Sequence, residues 1–113
     1  MPETPAVARV RALCLALPGA TETSAWGHPN FRVGKQTFVT LEVHQGRPVI
    51  ALRLVQDQVR ELCRDGKFHP TPYGKGLWAS TYADRRLNWR HIESLIRQSH
   101  RMSAPQAKQA RNA

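Results

Sequence analysis

Ser24-Ala25-Trp26-Gly27-His28-Pro29-Asn30-Phe31 decides how this 113-residue chain is read. Before it the pattern is helical. Thr4 can cap a helix and Pro5 suits its first turn. Val10, Leu13, Cys14 and Leu17 then recur at spacings of three and four and share a face. Pro18-Gly19 ends that helix. Thr21 to Ser24 form a polar approach to the quoted stretch. Trp26-Gly27-His28-Pro29 then reads as a rigid junction, and a strand is expected from about Asn30, where Phe31 and Val33 alternate with polar residues.

The chain after this stretch reads as a meander. Gly34-Lys35 is a turn and Thr37 to Val43 a second strand. Val39, Leu41 and Val43 are expected on one face, and Phe38, Thr40 and Glu42 on the other. His44-Gln45-Gly46 is another turn, followed by a strand at Val49 to Leu52. Leu54 to Cys63 returns to the helical period, with Val55, Val59, Leu62 and Cys63 as its apolar face. The segment from Lys67 to Gly76 is too rich in proline and glycine for a regular element. Leu77 to Tyr82 reads as a fourth strand. Asn88 is a good cap for a last helix over Trp89 to Met102, whose apolar positions are Trp89, Ile92, Leu95, Ile96 and Met102. The expectation is one domain over residues 1–113, with 104–113 a flexible tail.

Seventeen Lys and Arg face eight Asp and Glu, giving a formal charge of +9. Such an excess favours polyanions: nucleic acid, an anionic membrane surface or an acidic protein. Arg32 and Lys35 flank the first hairpin turn, Arg47 and Arg53 flank the third strand, and Lys75 sits in the glycine-bearing loop. Arg85 and Arg86 precede the last helix, and Arg90, Arg97 and Arg101 lie along its solvent side. These ten are the candidate nucleic-acid contacts. They would act mainly on phosphates, with little sequence preference.

The alternative is a small-ligand or protein-binding module. Its pocket would lie between Trp26-Pro29 and Pro72-Trp78 and use Trp26, His28, Tyr73, Lys75 and Trp78. Enzymatic chemistry has little support. The carboxylates form no recognisable pair, and Ser24 and His28, four apart, lack an acidic orienter. The five histidines lack metal-ligand spacing, so no catalytic residue, metal or cofactor is assigned. Cys14 and Cys63 read as free thiols in a reducing compartment. No signal-peptide run or membrane span is read, and the expectation is a cytoplasmic monomer.

Leu17-Pro18-Gly19, Thr23, Trp26-Gly27-His28-Pro29 and Phe31-Arg32-Val33-Gly34-Lys35 together resemble the MmcQ/YjbR-like family of small bacterial proteins. Phe68, Pro70, Pro72-Tyr73, Lys75-Gly76 and Trp78-Ala79 are similar to its second characteristic segment, and Trp89 to Ile96 with Ser99 to its last helix. The resemblance implies an α/β domain of the CyaY-like or double-wing type, with a curved antiparallel sheet and the terminal helices packed on one side. It also implies DNA binding, by structural analogy. It does not carry over frataxin-like iron binding, because the first helix lacks an acidic ridge.

Overall fold

The computed structural model describes residues 3–72 and 74–105. Tyr73 and residues 106–113, which include most of the expected tail, lie outside them. Helix α1 (Pro5–Leu15) leads into strands β1 (Ala20–Ala25), β2 (His28–Val33), β3 (Gln36–His44) and β4 (Arg47–Arg53). Helix α2 (Gln56–Leu62), the short strand β5 (His69–Pro70), β6 (Trp78–Tyr82) and helix α3 (Trp89–Ser103) follow. The strands form one antiparallel sheet in the order β1-β2-β3-β4-β6-β5. This is the α/β class expected: an antiparallel sheet with flanking helices.

Sheet register separates the two faces. Glu22, Phe31, Val39, Leu52, Ala79 and Pro70 pair in a row across the strands, and Phe31, Val39, Leu52 and Ala79 enter the core. The adjacent row is Thr23, Asn30, Thr40, Ala51, Ser80 and His69. Successive side chains alternate across a sheet, so this second row faces away from the core. Val7, Val10 and Cys14 of α1, Val59 of α2, and Ile92, Leu95 and Ile96 of α3 close over the first row. The Gln58 amide donates to Gln98 at 2.5 Å and ties α2 to α3.

Both long helices begin as their sequences predict. The Thr4 hydroxyl accepts from Val7 N–H at 3.1 Å, and the Asn88 carbonyl oxygen accepts from His91 N–H at 3.3 Å. Arg11 on α1 donates to Glu22 on β1 at 2.9 Å, fastening helix to sheet edge. His100 Nε2 lies 2.7 Å from the Pro18 carbonyl oxygen, and its ring meets Phe38 edge-on at 5.4 Å. Cys14 is buried and Cys63 half-buried, both as free thiols; burial pushes both thiols up.

Four local expectations are corrected. Thr21 to Ser24 is not a loose approach but most of β1, an edge strand. Both of its faces are largely solvated, so it lacks the apolar alternation that marks strands. Trp26-Gly27 is the tip of the β1–β2 hairpin rather than a helix-to-strand junction. Phe38 faces the core beside Val39, because a register shift opposite Phe31 and Arg32 inserts an extra residue into β3. Finally, the proline-rich segment carries a two-residue strand. Pro70 is tolerated there because β5 is a sheet edge.

Candidate anion-binding surface

The outer side of α3 is set by helical spacing. Arg90, Arg97 and Arg101 stand seven and four residues apart, bringing them onto one stripe. With Glu93 and Ser94 they line a shallow hollow of about 340 Å³. Arg97 donates to Glu93 at 2.8 Å, so one carboxylate offsets part of this charge.

The start of α3 carries a deeper feature. Lys67, Arg85, Arg86 and His91 line a cavity of about 490 Å³ together with Phe68, Leu87 and Ile92. The chain arrives there from two directions: Lys67 precedes β5, while Arg85 and Arg86 follow β6. Pairing of β5 with β6 brings the segments together. Thr81 Oγ1 donates to the Lys67 carbonyl oxygen at 2.8 Å. Arg85 Nη2 donates to that same oxygen and to Thr81 Oγ1, fixing its guanidinium at the cavity wall. Among the described residues, no carboxylate lines this cavity.

A second hollow, about 760 Å³, shares Arg85, Arg86 and Leu87 with the first. Arg9 lies over the half-buried Trp89 ring there, 4.6 Å from its centroid. Its one acid, Asp84, accepts from Arg47 Nε at 2.8 Å and Nη2 at 2.9 Å. Arg47 also stacks on Tyr82 at 3.7 Å. The guanidinium holds the Asp84 carboxyl below its usual range.

The remaining expected contacts lie elsewhere. Arg32 Nη2 folds back onto the Lys35 carbonyl oxygen at 2.7 Å, while Arg53 reaches Ser103 at 3.4 Å. Lys75 is exposed, in a left-handed conformation with φ +54°. Thus Arg85 and Arg86 share one cavity, Arg90, Arg97 and Arg101 share the neighbouring stripe, and Arg47 is held in an ion pair. Sequence reading missed Lys67, His91 and Arg9. Lys67 and Arg85 are 18 residues apart, and the β5–β6 pairing and the Arg85 bond to the Lys67 carbonyl bring them together.

The residues of the alternative pocket are not all gathered. Trp78 lines a small cavity of about 190 Å³ with Thr40, Glu42, Thr71, Pro72 and Gly74. Trp26 is 96% exposed at the hairpin tip and lines none of the cavities described here. His28 is half-buried, and its Nδ1 has no hydrogen-bond partner among the described residues. Tyr73 lies outside the described residues. Ser24 and His28 fall on opposite sheet faces, since Ala25 rather than Ser24 pairs with His28. Among the described residues, no three His, Cys, Asp or Glu side chains come together as metal ligands. No described helix is long and apolar enough to cross a membrane.

This fold agrees with the comparisons. The YjbR family model matches residues 15–102, and the chain belongs to that family. Deinococcus radiodurans protein DR2400, which carries a DUF419 domain, is similar with a TM-score of 0.73 and 20% identity. That match covers 85% of this chain and 76% of the other. A Pseudomonas syringae protein solved as a structural-genomics target is similar with a TM-score of 0.67 and 18% identity, over 84% of this chain and 97% of the other. At these identities the likeness is one of fold. No curated protein matches the chain.

Proposed function

We propose that this protein binds nucleic acid without catalysing a reaction, chiefly through phosphates, along the outer side of α3. The observation carrying this reading is the run of cationic side chains from Lys67, Arg85 and Arg86 to Arg90, Arg97 and Arg101. The net charge of +9 adds long-range attraction. Family membership is compatible with nucleic-acid or small-molecule binding. The pocket module draws less support, because its one cavity beside Trp78 is small and excludes Trp26.

Duplex DNA titrated at about 50 mM and about 200 mM salt tests the reading. The expected result is binding at low salt that weakens steeply at the higher. Converting Arg90, Arg97 and Arg101 to Ala should flatten the logarithmic salt slope by about three, one per phosphate contact removed. No binding at low salt, or an unchanged slope in the triple variant, would refute it.

A further inference from the structure

The cavity at the start of α3 differs from the stripe beside it. Its cationic groups converge, whereas those of the stripe are spread along a helix. Lys67, Arg85 and Arg86 approach one space from two chain segments, with the His91 ring beside them. The bonds from Arg85 to Thr81 Oγ1 at 2.8 Å and to the Lys67 carbonyl set one guanidinium in advance. The nearby carboxylate, Asp84, lines the adjoining hollow and is already doubly bonded to Arg47.

Converging cations suit a concentrated anion. A phosphodiester carries one charge and continues in both directions along a strand. A phosphomonoester carries about two charges near neutral pH and ends there. It can therefore enter a recess that a continuing backbone must pass over. The cavity also has apolar wall: Phe68 is only 7% exposed, and Leu87 and Ile92 lie beside it. His91 stands edge-on to Phe68 at 6.0 Å. At about 490 Å³ the space falls in the range of small-molecule sites. Cationic wall and apolar wall together match a phosphate joined to a ring system.

We infer that this cavity seats the phosphomonoester of a nucleotide, either a strand's phosphorylated end or a free nucleotide. The strand-end form rests on the nucleic-acid reading above; the free-nucleotide form stands without it. Lys67, Arg85 and Arg86 hold the phosphate oxygens, and Phe68 with Ile92 borders the nucleoside.

Calorimetric titration with single strands of about ten bases, within the usual range of single-strand site sizes, tests this. The strands carry a 5′ phosphate, a 3′ phosphate or neither, and adenosine monophosphate is titrated separately. The strand-end form predicts about ten-fold tighter binding of one phosphorylated strand than of the unphosphorylated one. Lys67→Glu and Arg86→Glu, both at exposed positions, should each weaken the unphosphorylated strand as part of the cationic run and the phosphorylated strand about ten-fold more, so that the two then bind alike. Circular dichroism verifies that each variant is folded. Adenosine monophosphate binding that both substitutions abolish supports the free-nucleotide form, even if no strand binds and the nucleic-acid reading fails. Strands that bind equally whatever their ends, with no adenosine monophosphate binding, overturn the inference and leave that reading standing. No binding by any of these probes overturns the inference, and the duplex titration above then decides the nucleic-acid reading by itself.

Discussion

Trp26 combines two unfavourable features at one position. Its φ is +56°, in the left-handed region where a bulky side chain is strained, and its indole is almost wholly exposed. Gly27 follows at φ +77°, so the pair closes a two-residue hairpin turn that asparagine and glycine would fill more comfortably. Trp26→Asn should therefore stabilise the fold by about 1 kcal/mol, the scale of left-handed strain. Thermal unfolding followed by circular dichroism should show a midpoint several degrees higher. A lowered midpoint would mean that the indole packs in solution. The same residue shows why the hairpin was hard to read. Trp-Gly is not the usual turn pair, and the strand before it is polar on both faces. The sequence thus resembled a junction with an aromatic landmark. Arg85 and Arg86 were legible as charge but not as cavity wall, because their partner Lys67 is distant in sequence.

Elements with strong periodicity were the easiest to read. Helix α3 buries Ile92, Leu95 and Ile96 on one face and exposes Arg90, Arg97 and Arg101 on another. The central strand β4 was equally plain, since Val49 to Leu52 is a continuous apolar run buried on both faces. Strand β3 departs from strict alternation at Phe38. Strict alternation put Phe38 opposite Val39, yet the bulge turns both inward, with Phe38 fully buried against His100. Alternation does not announce a bulge, because the extra residue is defined by pairing with another strand. Phe38→Ala should consequently cost about 3–5 kcal/mol, like other large truncations in a packed core. Urea unfolding would report this as a lower midpoint with little change in slope. A loss below about 1 kcal/mol would return Phe38 to the solvent face.

At the scale of the molecule, the charge excess makes stability sensitive to acid, and one histidine should mark the onset. His69 lies 5.3 Å from Tyr82, whose ring is stacked by Arg47. Burial lowers its pKa first, and repulsion from His44 and Arg85 lowers it further. The unfolded chain therefore takes up a proton near pH 6.5 that the folded chain still refuses. The contribution is present above that pH and is lost as pH falls through the lower, folded value. Wild type should show a falling urea midpoint from about pH 6.5 downward, and His69→Gln should flatten that segment. Parallel curves for the two proteins would remove His69 as the cause. Sheet order also bears on synthesis. Strands β1 to β4 can zip together as each emerges, but β6 and α3 complete the sheet and its cover only later. From Arg53 to Ser103 a ribosome needs several seconds at ordinary elongation rates. During that interval Phe38, Leu41, Ile50 and Leu52 on β3 and β4 lack the cover of α3, so a nascent chain paused before residue 90 is a natural client for a chaperone.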